Sequence, residues 1–206
     1  MSIKSILTAG AASTVLAACA STGGGYMTNT TEITKSIIDY EISGISYHAA
    51  ADIIAAETRA GVTNVSVSRN IGPDTLPADR GRVELVNPFA NTHMSGFAAL
   101  AGAQAIEVAN CPDARLVVTA ANDSWARYGE TAQYTNCLWE YEGGLHFATY
   151  AAYTKQRGMS MGQLVRQAAE PMLGDSEREI EQTRQRILTT LQAAGATVLE
   201  TGRRES

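Results

Sequence analysis

Residues 131–154 read TAQYTNCLWEYEGGLHFATYAAYT, and they carry the clearest structural pattern of the chain. Two runs rich in aromatic and β-branched residues flank Gly143 and Gly144, and this pattern is typical of a hairpin with a two-residue turn. We therefore predict a β-hairpin in which Tyr141 pairs with His146. A hairpin alone is only marginally stable, so other elements must cover at least one of its faces.

One face of the predicted hairpin concentrates aromatic side chains. Because successive side chains of a strand point to opposite faces, Trp139, Tyr141, His146 and Tyr150 share a face with Cys137. Tyr and Trp combine apolar area with a polar group, which suits protein interfaces and the stacking of sugars. Two interpretations follow. The face is a binding surface, or it forms the core beneath the helices, as a cysteine on it favours.

Outward from the hairpin, helical and extended patterns alternate. Ser46 is a predicted helix N-cap, Gly61 a predicted left-handed C-terminal residue, and Ser176 with Glu179 a capping box. This order of elements predicts an α+β fold, a mainly antiparallel sheet with helices packed on one face and one disulfide. The predicted helices cover residues 47–60, 96–110, 161–169 and 176–194, and the predicted strands cover residues 28–44, 62–68, 82–87, 114–120 and 196–200.

The N-terminal region carries a targeting signal. Lys4 precedes an apolar run too short to span a bilayer, and residues 16–19 read LAAC. Together they resemble the signal peptide and lipobox of bacterial lipoproteins. The resemblance implies cleavage before Cys19 and acylation of that cysteine, palmitate included. Since Ala20 and Ser21 are not acidic, it also implies anchoring in the outer membrane, with the domain facing the periplasm.

The same resemblance defines the expected domain boundaries. Residues 1–18 are the signal peptide, and residues 19–30 are the lipidated cysteine and a flexible, glycine-rich spacer. Residues 31–202 form a single globular domain. Residues 203–206 are a charged tail that we expect to fray.

The cysteine count fits an exported protein. The chain has three cysteines, and once Cys19 carries lipid, Cys111 and Cys137 remain. Disulfides persist outside the cytoplasm, so we predict that these two are bonded. The bond would attach the segment near residue 110 to the hairpin.

The net charge of the chain indicates which classes of partner are unfavourable. The formal net charge is −5 and becomes −6 when Lys4 leaves with the signal peptide. An acidic chain without a basic block argues against binding nucleic acid or anionic lipid through charge. We expect the membrane contact to be the lipid anchor, since no second apolar run is long enough to span a bilayer.

Residues suited to catalysis show no recognisable spacing. His48, His93 and His146 are far apart and do not form a zinc motif. Glu140 and Glu142 near the hairpin tip form a possible carboxylate pair, but solvent-facing charges are the expected role. The sequence contains no nucleophile elbow, P-loop or dinucleotide fingerprint. We therefore assign no catalytic residue, no metal ligand and no cofactor.

A long loop is a second candidate for contacts. Residues 70–82 contain Gly72, Pro73, Pro77 and Gly81, a composition typical of a surface loop. Long irregular loops often carry function.

These observations favour a protein that acts by binding. We expect a lipid-anchored envelope protein that serves as an accessory factor in an envelope assembly, with another envelope protein as its partner. Two alternatives remain open. One is a periplasmic hydrolase whose site is dispersed in sequence, and the other is a glycan-binding module that uses the aromatic hairpin face.

Overall fold

The computed structural model describes residues 30–88, 107–122, 130–157 and 176–206. The predictions for the signal peptide, Cys19, His93, the helix over 161–169 and most of the helix over 96–110 lie outside these residues. Within them, the elements in chain order are β1 (Thr30–Ser43), α1 (Tyr47–Gly61), β2 (Ser66–Arg69), β3 (Glu84–Val86), β4 (Val108–Asn110), β5 (Leu116–Asn122), β6 (Glu130–Tyr141), β7 (Gly144–Arg157), α2 (Ser176–Ala193) and β8 (Thr197–Glu205).

The strands form a six-stranded sheet and a separate two-stranded ribbon. The strand order in the large sheet is β2-β5-β6-β7-β1-β8, and every pairing in it is antiparallel. β3 and β4 form the ribbon. The prediction of an α+β protein with a mainly antiparallel sheet is therefore confirmed. The end of the helix predicted over 96–110 is wrong, because residues 108–110 pair with β3 as a strand.

The central hairpin forms, but its register differs from the prediction by two residues. Tyr141 pairs with Gly144, so that Glu142 and Gly143 make the turn and the predicted pairing of Tyr141 with His146 is wrong. Gly144 has a φ of 132°, a conformation that favours glycine at the start of β7. A shift of two residues keeps every side chain on its predicted face, because side chains alternate with a period of two.

The first helix begins where the sequence indicates. The Ser46 side chain accepts a hydrogen bond from the backbone N–H of Ala49, which confirms the predicted N-cap. The predicted left-handed glycine at the C-terminus is wrong. Gly61 lies inside α1, the C-cap Val62 is extended, and the positive φ falls at Asn64.

The C-terminal strand is longer than its sequence suggests. β8 continues to residue 205 and pairs with β1, and Ser206 exchanges two backbone hydrogen bonds of 2.8 and 3.0 Å with Lys35. The expected fraying of residues 203–206 is therefore wrong. Backbone pairing with β1 holds this charged segment in the sheet, and its exposed side chains do not reveal that pairing.

Apolar side chains form separate core clusters. One cluster includes Ile54 of α1, Ile187 of α2 and the strand residues Ile38 and Phe147, and the two helices also contact each other. Another cluster of described residues contains no residue of α1 or α2 and is here termed the helix-free cluster. It comprises Ile37, Val83, Cys111, Ala114, Cys137, Trp139, Ala148 and Tyr150. Trp139 and Tyr150 of the aromatic hairpin face belong to this second cluster.

Candidate functional site

Most of the aromatic hairpin face is buried. Trp139 is 3% exposed, His146 2% and Tyr150 0%, while Tyr141 at the hairpin tip is half-buried. Of the two interpretations, the structure therefore supports the second: Trp139, His146 and Tyr150 are part of the core. Among the described residues, Val83 and the segment around Cys111, and not α1 or α2, pack against this core.

Residues 107–113, here termed the strap, cross this face and are fastened at several points. Trp139 Nε1 donates a 2.8 Å hydrogen bond to the Pro112 carbonyl, and the Tyr150 hydroxyl donates one of 3.0 Å to the Glu107 carbonyl. The predicted disulfide joins Cys111 of the strap to Cys137 of β6. Both polar groups of the aromatic residues are thus satisfied within the protein.

His146 belongs to a charged cluster at the edge of the same face. Its Nε2 lies 3.3 Å from Oδ1 of Asp39, whose other carboxylate oxygen accepts from Arg204 at 3.3 Å. Partial burial raises the pKa of Asp39, but the hydrogen bond and charge of His146, with Arg204, outweigh it and hold the pKa below its usual value. His146 Nδ1 is buried without a partner among the described residues.

The loop over residues 70–82 is held against the sheet along its length. The backbone N–H of Asn70 donates to the Arg115 carbonyl at 2.8 Å, and the Pro77 carbonyl accepts from the Glu142 N–H at 3.0 Å. Arg80 forms a 3.1 Å ion pair with Glu41. These contacts fix both ends of the loop and its middle.

Gly81 allows the loop to approach the core closely. A Cβ atom at this position would lie 2.2 Å from the Trp139 ring, so a larger residue would require the ring or the loop to move. The glycine therefore lets the loop backbone cover an aromatic ring whose nitrogen is already engaged by the strap.

A cavity of about 880 Å³, here termed the loop cleft, opens between this loop and the sheet. The loop lines one side, and Asp113, Arg115, Trp139 and Glu140 are among the residues on the other. Ile71 lines the cleft with 99% of its surface exposed. Its neighbour Asn70 forms two hydrogen bonds, so the backbone next to the exposed isoleucine is held in place.

A smaller cavity of about 400 Å³ meets the loop cleft at an ion pair between Arg115 and Glu140. Leu76, 38% exposed, lines this second cavity. The Arg115 guanidinium lies 3.9 Å from the centroid of the Tyr47 ring, a cation–π contact. Burial raises the pKa of Tyr47 above its ordinary value, although the charge of Arg115 acts in the opposite direction.

The other residues considered from sequence do not converge. His48 is exposed on the first turn of α1, and His146 is buried in β7. Glu140 pairs with Arg115, whereas Glu142 is exposed at the hairpin turn. In the described ranges, no group of three or more His, Cys, Asp and Glu residues is placed to hold a metal ion. Neither described helix is both long and apolar enough to cross a membrane.

The sequence indicated the loop but not the cleft. An isoleucine and a leucine inside a proline- and glycine-rich stretch, NIGPDTLP, are a local signal of apolar contact there. Asp113 and Arg115 carry no such signal, because the segment before β5 reaches the cleft through backbone hydrogen bonds of Arg115 with Leu138 and Asn70.

The chain matches no protein-family model. Its sequence also matches no curated protein.

Proposed function

We propose that this protein is a lipid-anchored cell-envelope protein that binds another envelope protein as an accessory factor in an envelope assembly. The observation that carries the proposal is Ile71, almost fully exposed at the loop cleft on a loop that hydrogen bonds hold in place. Burying an isoleucine side chain contributes about 1.5–3 kcal/mol. A held loop loses little conformational freedom on binding, so much of that gain is retained as affinity.

The position of the cleft suits a tethered binding protein. β1 leads from Thr30, the first described residue, to Glu41, which holds Arg80 of the loop. Eleven residues of strand extend about 36 Å. With Cys19 lipidated in the outer membrane, as the lipobox resemblance implies, the cleft lies at the far end of β1 from the anchor. The tether would raise the effective concentration of the cleft toward partners in that layer.

We also infer that α1 and α2 cover the same face of the sheet. The support is their mutual contact and their shared cluster with Ile38 and Phe147, whose strand neighbours Ile37 and Ala148 belong to the helix-free cluster. This arrangement places Trp139, which lines the loop cleft, on the face opposite α1 and α2.

Glycan binding is a second candidate. The smaller cavity brings Tyr47, His48 and the half-buried Tyr141 together with the charged pair Arg115–Glu140. Aromatic faces beside charged hydrogen-bonding groups suit a sugar. Trp139, which is 3% exposed with its nitrogen committed to Pro112, offers little surface for stacking.

In-cell photo-crosslinking tests the protein-binding proposal. A photoreactive amino acid replaces Ile71 or Leu76 at the two cavities, and Leu199, which is 61% exposed on β8, is the control position. Positions 71 and 76 should give the same discrete protein adduct, and position 199 should not. Cys19→Ala should move the protein from the membrane pellet to the soluble envelope fraction and reduce the adduct.

Two outcomes would contradict the proposal. Absence of a protein adduct at both positions, Ile71 in the loop cleft and Leu76 in the smaller cavity, would exclude a protein partner at these cavities. A Cys19→Ala variant that stays in the membrane pellet after a carbonate wash would exclude the lipid anchor at that residue.

A further inference from the structure

We infer that the loop cleft receives a basic, extended polypeptide segment that carries an apolar side chain. This inference rests on the proposed function and specifies the chemistry of the partner. It follows from the charges that line the cleft, from the apolar residues at its margin and from the way the two cavities join.

The cations of the loop cleft already have partners within the protein. Arg80 lies 3.1 Å from Glu41, and Arg82 lies 3.7 Å from Glu84. The third arginine, Arg115, is paired with Glu140 and stacked on Tyr47. An anionic partner would therefore compete with an internal carboxylate for each arginine that it engaged.

Two carboxylates of the cleft lack such compensation. Asp79 and Asp113 line the cleft from opposite sides, are exposed, and form neither an ion pair nor a hydrogen bond with another described residue. Asp74, exposed on the same loop, also has no such contact within the described ranges. The uncompensated charge at the cleft is thus negative, and it complements a cationic segment.

The apolar residues favour a polypeptide over a glycan. Ile71 and Leu76 are aliphatic and exposed, and they match the apolar side chains of a peptide. Sugars stack on flat aromatic faces, and the aromatic ring of the loop cleft, Trp139, is 3% exposed. The exposed surface of the loop therefore fits an aliphatic side chain better than a sugar ring.

The two cavities together favour an extended segment. The loop cleft and the smaller cavity share Arg115 and Glu140 in their linings, so they meet at this ion pair. A chain that crosses this junction can place an apolar side chain near Ile71 and basic side chains near Asp79 and Asp113. Complementary charge at an exposed interface chiefly sets specificity and association rate, and it weakens with salt.

Binding of defined probes to the full-length lipidated protein in phosphatidylcholine nanodiscs tests the inference. The probes are a fluorescent ten-residue peptide that alternates lysine with leucine, the same peptide with glutamate for lysine, and an N-acetylglucosamine oligomer. Empty nanodiscs correct for binding to lipid. The lysine peptide should bind the protein more tightly than the other two probes, and its affinity should fall as salt rises.

Two double variants that remove the same charge test whether the carboxylates of the loop cleft bind the lysine peptide. An exposed ion pair changes affinity by roughly 1.4- to 5-fold. The double variant Asp79→Asn with Asp113→Asn should therefore lower the affinity for the lysine peptide by about 2- to 30-fold. Asp52→Asn with Glu205→Gln removes the same charge at exposed carboxylates that pair with Arg69 and Arg203 outside the cleft. That control should change the affinity by less than about 2-fold.

The outcomes separate this inference from the proposed function. Equal losses in the two double variants, or preferred binding of the glutamate peptide or the sugar oligomer, would overturn the basic partner. If position 71 still formed its discrete protein adduct in cells, the proposed function would stand although the partner segment is not basic. Absence of that adduct together with no binding of the lysine peptide would overturn both.

Discussion

Removal of the disulfide should lower the free energy of unfolding by about 3.5 kcal/mol. The bond between Cys111 and Cys137 spans a sequence separation of 26. Closing a loop of that length removes about 12 cal/mol/K of entropy from the unfolded chain, which is about 3.5 kcal/mol at 298 K. The perturbation is Cys111→Ala with Cys137→Ala, which leaves no free thiol. Domains commonly have a free energy of unfolding of about 5–15 kcal/mol, so the variant should still fold.

The native contacts of the strap explain why the effect should fall mainly on the unfolded chain. Without the disulfide, the strap keeps the hydrogen bonds from Trp139 to Pro112 and from Tyr150 to Glu107. The unfolded chain, in contrast, becomes free to expand. Because the denaturant dependence of stability scales with the surface exposed on unfolding, the m-value should rise in the variant.

Urea unfolding followed by far-ultraviolet circular dichroism measures the change. The wild-type protein with reductant should behave like the double variant, and reductant should not affect the variant itself. A decrease of less than about 1 kcal/mol would refute the loop-entropy argument. A variant that remains sensitive to reductant would show that the effect does not come from Cys111 and Cys137.

Two further predictions concern buried polar contacts. Thr58→Val should cost about 1–3 kcal/mol in urea unfolding, because the buried Asn136 amide loses its 2.9 Å hydrogen bond to the Thr58 hydroxyl. Thr58→Ser keeps the hydroxyl and should recover most of this loss, and equal losses would contradict the prediction. Asp39 has a lowered pKa, so its contribution to stability is present above its ordinary pKa of 3.8 and is lost as pH falls through the lower folded-state value. Unfolding free energies measured from pH 6 to 3 should fall less steeply for Asp39→Asn, and parallel profiles would contradict a role for its contacts with His146.

The sequence pattern was sufficient for the elements whose partners are adjacent in the chain. Alternation over residues 131–154 identified the hairpin and the side chains that share a face, and Ser46 identified the start of α1. The register was off by two because two turns are compatible with the same alternation. Gly144 takes the positive φ, and this choice depends on the conformation of the whole turn.

The disulfide could be predicted without any geometry. The expected export of the chain and the expected lipidation of Cys19 left one pair of cysteines, and the bond between Cys111 and Cys137 is present in the structure. What covers the aromatic face, in contrast, could not be predicted from the sequence. Residues 139, 146 and 150 have the same alternation whether they face solvent, a helix or a strap, so the local pattern could not distinguish these cases.

The candidate site depended on contacts between distant parts of the chain. Asp79 on the loop and Asp113 on the strap are separated by more than thirty residues. They line one cleft because the loop hydrogen-bonds to Arg115 and Glu142, next to β5 and β6, and because the strap is fastened to β6. Likewise, the charged C-terminal segment became a strand because β1 offered it an open edge. Local spacing determines which way a side chain points along its own strand. Which layer covers it, and which charges remain unpaired there, is decided by long-range packing that brings separate segments together.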